Sequence, residues 1–191
     1  MKKILLCCNN NFFEKKIKKK NYLFLTQKKK LNLNYLKKIN PDIIFFPHWS
    51  YKINKEIYTN FNCIGFHSSP LPYGRGGSPV QNMIIRNKKK TDICAYKINQ
   101  KFDTGPVYKR RKVSLNGSGS QVFLRIYNTI ITMITKLEKK LPKPNAQTGK
   151  VVFFKRRKPQ QSNLLDVKNI KEAFNLIRMT DVDFINYPNA F

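Results

Sequence analysis

His67 and Asp103 stand 36 residues apart in two blocks of turn-forming residues, and their side chains are those of an acid–base pair. The first block reads Gly65-Phe66-His67-Ser68-Ser69-Pro70-Leu71-Pro72-Tyr73-Gly74-Arg75-Gly76-Gly77-Ser78-Pro79, and the second Phe102-Asp103-Thr104-Gly105-Pro106. The chain has only two histidines and ten carboxylates, so each titratable group at a chain break is conspicuous. An imidazole takes up and releases a proton near neutral pH, and a carboxylate beside it orients the ring and favours its charged form. A single histidine in a turn is more often a structural group bonded to backbone. Two blocks, each carrying one titratable residue among Gly and Pro, favour a site.

The elements that must position these blocks follow from hydrophobic pattern. Ile4 to Cys8, Tyr22 to Thr26, Ile43 to Phe46 and Cys63 to Phe66 are short apolar runs that read as buried strands. His67 therefore falls at the carboxyl end of a strand, where open α/β sheets expose their chemistry. Leu31 to Ile39 and a segment from Ser50 or Asn54 to about Tyr58 read as short helices. Ser78-Pro79 is a helix start running to about Arg86, with Pro at the first position. Thr91 to Ile98 and Val107 to Val113 are strands flanking Asp103, and Val122 to Leu137 has the apolar stripe of a long helix. Lys15 to Lys20 is a solvated charge run. Residues 1–140 are expected to form the catalytic domain, and 141–191 a linker with a short extension holding a strand, Val151 to Phe154, and a helix from about Val167 to Met179. The predicted class is α/β: a Rossmann-like, mainly parallel sheet with helices on both faces.

Composition narrows the function. A 191-residue chain with 41% apolar residues supports one core. The net charge of +28 points to an anionic partner, but 30 of the 38 basic residues are Lys and 21 residues are Asn, the pattern of AT-rich coding. Nucleic-acid sites favour Arg, so nucleic acid is set aside as the main partner. The four cysteines, at 7, 8, 63 and 94, lack the spacing of a metal or disulfide framework and read as core residues of a cytoplasmic protein. No segment is apolar enough for a signal peptide or a membrane span. Arg75-Gly76-Gly77-Ser78 lacks the Lys of a phosphate-binding loop, the Gly-x-Gly-x-x-Gly fingerprint is absent, and no nucleophile elbow surrounds Ser68 or Ser69.

The paired blocks resemble the active-site loops of the formyltransferases that use 10-formyltetrahydrofolate, whose pattern reads Asn-x-His-x-Ser-x-Leu-Pro, then Arg-Gly and Pro, then Asp-x-Gly. His67, Ser69, Leu71, Pro72, Arg75, Gly76, Pro79, Asp103 and Gly105 carry the match, and Gly74 to Pro79 with Gln81-Asn82 resemble a short, sugar-modifying subgroup. The run Pro41 to Ser50 fits the same subgroup, and the tail Ile177-Arg178 with Tyr187 to Phe191 fits it weakly. The resemblance implies that His67 hydrogen-bonds the oxyanion and moves the proton of the attacking amine, with Asp103 setting its tautomer. It further implies a folate pocket from Phe46, His48, Trp49, Leu71 and Phe102, and acceptor contacts from Ser69, Arg75, Gly76, Ser78 and Asn82, without a metal. The implied acceptor is the amine of a nucleotide-linked amino sugar. Methionyl-tRNA and glycinamide ribonucleotide are alternative acceptors, a degenerate folate- or nucleotide-binding module is the non-enzyme alternative, and a homodimer is compatible with all of them.

Two departures from the family pattern stand out. The N-terminal half is short, with room for three strands before the one ending at Phe66. The family's Asn two residues before the histidine is Gly65 here. Its loss removes a donor to the formyl oxygen, typically a cost of about 10²–10³ in rate. A residue without Cβ is expected to leave an opening that Ser69, Asn82, Ser50 or His48 fills, so that Gly65→Asn is tolerated or beneficial.

Overall fold

The computed structural model describes residues 2–182. Its main sheet has the strand order β2-β1-β3-β4-β6-β7. The strands are β1 (Ile4–Cys7), β2 (Tyr22–Leu25), β3 (Ile43–Phe46), β4 (Cys63–His67), β6 (Lys90–Lys97) and β7 (Val107–Ser114). A second sheet pairs β5 (Tyr73–Gly76) with β8 (Val152–Phe154). The pairings β1–β2, β1–β3 and β3–β4 are parallel, whereas β4–β6 and β6–β7 are antiparallel. The sheet is thus α/β and mostly parallel, with β4 at the junction between its two kinds of pairing.

The uninterrupted apolar runs of β1 and β3 are explained by burial on both faces. Alternate residues point to opposite sides. Ile4, Leu6, Ile43 and Phe45 enter one core, while Leu5, Cys7, Ile44 and Phe46 enter the other. The second core is closed by Leu36 of α2 (Leu33–Ile39) and Ile57 of α3 (Lys55–Asn60). The first core also takes Phe13 of α1 (Phe12–Lys16), Val80, Met83 and Ile84 of α4 (Pro79–Ile85), and the stripe of α5 (Gly119–Lys139). Eight apolar residues of that stripe, Val122 through Leu137, are buried, each contributing about 1.5–3 kcal/mol for a full-sized side chain. A reciprocal capping box between Ser118 and Gln121 starts α5. Leu176 and Met179 anchor α6 (Ile170–Thr180) to the same core.

Three strands precede β4, as expected, and most boundaries fall within a few residues of the predicted ones. Two features differ. Tyr73–Gly76, expected to be loop, is a strand, because its backbone pairs with β8 from the far end of the chain. Residues 141–149, expected to be linker, are stitched to the main sheet: the backbone of Asn145 exchanges two hydrogen bonds with Val107 at 2.7 and 2.9 Å. Among the described residues no helix is long and apolar enough to cross a membrane. The tail Tyr187 to Phe191 lies outside the described residues.

Candidate active site

His67 is the last residue of β4 and is 7% exposed. Its Nε2 lies 2.7 Å from the Gly74 carbonyl oxygen. A carbonyl can only accept, so Nε2 carries a proton and the tautomer is set by backbone rather than by Asp103. In the neutral ring this leaves the lone pair on Nδ1, which faces Asp103 Oδ1 at 3.4 Å. A proton arriving at Nδ1 would therefore create an ion pair between imidazolium and carboxylate, with the Gly74 carbonyl on the other side of the ring.

Asp103 is held on several sides. Its Oδ2 accepts from the Gly76 amide at 2.9 Å, and its Oδ1 accepts from the Tyr96 hydroxyl at 2.9 Å. Its backbone is left-handed, with φ 56°, a region that Asp tolerates better than most residues. Two positions later only glycine fits: a Cβ on Gly105 would stand 1.6 Å from the Lys97 carbonyl oxygen. The Gln147 amide nitrogen donates to the carbonyls of Asp103 and Gly105, each at 2.8 Å. The Gln147 carbonyl oxygen accepts from Arg75 Nε at 3.2 Å and Nη2 at 2.7 Å. Gly76 (φ 102°) carries β5 past Phe154, where a Cβ would lie 2.5 Å from the Phe154 carbonyl oxygen.

His67 and Asp103 open onto a cavity of about 580 Å³, large enough for a drug-sized heterocycle. Gly65 and Tyr96 continue the wall beside them, while Phe46, Trp49, Ile53 and the α5 residues Phe123 and Ile126 supply flat or apolar surface. His48 also lines the cavity, its ring 5.6 Å from that of Tyr127. Burial, reinforced by the charge of Arg156, pushes its pKa down to about 4, so the ring is neutral at physiological pH. Among the described residues Trp49 Nε1 and Gln81 Nε2 are buried donors without a hydrogen-bond partner, and both residues line this cavity. Such groups are rare in a finished interior and are naturally satisfied by a bound molecule. Burial pushes the thiols of Cys8 and Cys94 up to about 11 and that of Cys63 up to about 12, which removes them as nucleophiles.

The structure divides the predicted residues. Phe46, His48, Trp49, Phe102, Gly76 and Ser78 line the cavity with His67 and Asp103, whereas Leu71, Ser69, Arg75 and Asn82 do not. Leu71 is 1% exposed, in a small cluster with Cys94 and Val107. The Ser69 hydroxyl is spent on the carbonyls of Tyr73 and Gly74, at 2.8 and 3.0 Å. The Asn82 amide donates to the carbonyls of Gly77, Ser78 and Lys155, and its oxygen accepts from Arg86. Both are scaffold of the loop, so neither replaces the family's Asn. Ser78 Oγ accepts from the Arg157 amide at 3.1 Å rather than capping α4.

Nor is the space beside Gly65 open. A Cβ built there would meet the Tyr96 ring and hydroxyl at 2.7–2.9 Å. Tyr96, Gln81 and Gln147 are the residues that sequence reasoning missed. Tyr96 lies inside the strand-like run Thr91 to Ile98 with no motif to single it out, and Gln81 belongs to the Gln81-Asn82 pair, of which the resemblance gives only Asn82 a role. The alternation of β4 and β6 could have suggested Gly65 and Tyr96 as partners, but only their register makes them so.

No protein-family model matches the chain. A methionyl-tRNA formyltransferase from Thermodesulfovibrio yellowstonii is 28% identical over 153 residues, which cover 76% of this chain and 50% of that protein. The chain spans about half the length of the curated relatives it matches. A solved methionyl-tRNA formyltransferase from Clostridium thermocellum superposes with a TM-score of 0.91 at 38% identity, covering 100% of this chain and 87% of that one. HypX from Aquifex aeolicus, solved in complex with tetrahydrofolic acid, shares the fold at 14% identity, with a TM-score of 0.75 over 95% of this chain and 35% of its own. With this fold, and with the pattern's His and Asp side by side, the chain belongs to the formyltransferase family that includes the methionyl-tRNA formyltransferases.

Proposed function

We propose that the protein transfers a formyl group from 10-formyltetrahydrofolate to an amine. The observation that carries this reading is His67 and Asp103 on the wall of a cavity that also holds two unpartnered buried donors. The cavity's shape and chemistry fit a folate head group. Phe46 and Trp49 offer flat apolar walls for a bicyclic ring, and Trp49 Nε1 and Gln81 Nε2 offer donors to its acceptors. When bound, the folate supplies the formyl carbon. The chain's own residues would handle the proton: Nδ1 of His67 would take it from the attacking amine and return it to the nitrogen that gives up the formyl group, with the Gly74 carbonyl and the Asp103 carboxylate on either side of the ring while it is charged. The half-buried, neutral His48 and the α5 side chains Phe123 and Ile126 line the same cavity.

For the acceptor, two readings compete. Methionyl-tRNA is favoured by the 38%-identical relative of that name and by the +28 charge, part of which lies on the exposed run Lys109-Arg110-Arg111-Lys112 of β7. A nucleotide-linked amino sugar is favoured by the Arg75-Gly76-Gly77-Ser78-Pro79 loop. Calorimetry with a stable formyl-folate analogue tests the shared part. No binding at about 1 mM, equivalent to a free energy weaker than about −4 kcal/mol, overturns it. Formyl transfer to methionyl-tRNA and to an amino-sugar nucleotide, assayed side by side, then identifies the acceptor. A tRNA substrate should bind with affinity that falls by about 10³–10⁵ between about 50 and 200 mM salt for 6–10 phosphate contacts.

A further inference from the structure

Gly65 and Tyr96 are direct cross-strand partners in the antiparallel pairing of β4 with β6. The phenol lies where a side chain on residue 65 would begin, with Cζ 2.7 Å and the hydroxyl oxygen 2.9 Å from the ideal Cβ position. A Tyr at 96 therefore requires Gly at 65, and a larger residue at 65 requires that the ring leave. An aromatic ring laid over a strand glycine shields its backbone whatever else it does. The hydroxyl adds something packing does not need: it donates to Asp103 Oδ1, the same oxygen that faces His67 Nδ1. Burial, with the charge of Asp103 next in weight and the Cys94 thiol contributing, raises the phenol's pKa well above its ordinary value, so the group remains a donor.

We propose that Tyr96 is a positioning residue for the His67–Asp103 pair, and that Gly65 is glycine because the Tyr96 ring occupies the space a side chain there would need. The Tyr96 hydroxyl and the Gly76 amide bond different oxygens of Asp103 and so fix the plane of the carboxylate. That plane decides whether Oδ1 meets the Nδ1 proton as His67 becomes charged. This inference rests on the proposed formyl transfer, and its test has one arm that does not.

In the activity arm, Tyr96→Phe keeps the ring and deletes the hydroxyl. It should lower kcat by about 10- to 100-fold, the range for losing a hydrogen bond to a charged group, with KM for the formyl-folate unchanged. An unchanged kcat, or a loss carried wholly by KM, overturns the proposal. Gly65→Asn alone should lower both melting temperature and turnover, because the ring is displaced. Gly65→Asn with Tyr96→Ala should restore the melting temperature, and equal stability of both variants would overturn the pairing. The second arm needs no turnover. With ¹³C-labelled tyrosine, the Tyr96 Cζ signal at neutral pH, assigned by its loss in Tyr96→Phe, should move upfield in Asp103→Asn, because the phenol no longer donates to a carboxylate. Identical Cζ shifts would overturn the coupling even if no acceptor were ever formylated. A clear difference would uphold it in that case too.

Discussion

Within one cavity, two sets of polar groups are treated in opposite ways. His67, Asp103 and Tyr96 are bonded to one another or to backbone amides and carbonyls. Trp49 Nε1 and Gln81 Nε2 have no hydrogen-bond partner among the described residues, and His48 is held neutral chiefly by its desolvation. The first arrangement suits charge that must appear at a known place, since orientation is settled before the reaction. The second suits recognition. An unpaired buried donor costs about 1–3 kcal/mol in the free protein, a cost that a bound ligand relieves.

The contrast is broken most severely at the bonded groups. His67→Asn and Asp103→Asn should each reduce turnover by about 10²–10⁴ while folate-analogue affinity stays within a few-fold. If His67→Asn kept near-normal turnover in a single-turnover assay, the bonded set would have no part in chemistry. His48 gives the next largest effect, read in stability. Its folded pKa of about 4 lies below its unfolded value of about 6.5. Above pH 6.5 both states are neutral there and no pH dependence arises. As pH falls from about 6.5 to about 4, the unfolded chain takes up the proton first, so stability falls by up to about 3 kcal/mol. Denaturant melts across that window should show a shallower decline in His48→Asn, a change that also suits the residue's left-handed backbone. Parallel declines in the two proteins would contradict the neutral ring. Smallest, and opposite in sign on two measurements, are Gln81→Leu and Trp49→Phe. Each should weaken folate-analogue binding about tenfold, while the free protein melts at the same or a higher temperature. A drop in melting temperature would mean that these donors have partners in the folded chain after all.

What could be read in advance follows the same division. The all-apolar runs of β1 and β3 announce two-sided burial, and the stripe from Val122 to Leu137 announces α5, because local pattern alone determines them. His67 and Asp103 were legible because each is a lone titratable group where a strand gives way to Gly and Pro. β5 was not legible, since Tyr73-Gly74-Arg75-Gly76 has no strand pattern and pairs only because β8 reaches it. Ser69 and Asn82 had the right chemistry, but their hydrogen bonds turn them to backbone. The role of Gly65 was misread for a related reason. Its empty side is filled by a residue on another strand, and cross-strand register is invisible in the order of residues.

The Gln147 clamp makes the site a late product of synthesis. As the chain leaves the ribosome, His67 and Asp103 emerge well before the amide that ties down the Asp103–Gly105 turn, which follows Asp103 by 44 residues. At roughly 5–20 residues per second that gap lasts roughly 2–9 s, and the Phe154 carbonyl that receives the Gly77 amide comes later still. A nascent chain released before Gln147 would thus carry His67 at the end of β4 facing an Asp103–Gly105 turn that lacks its side-chain clamp.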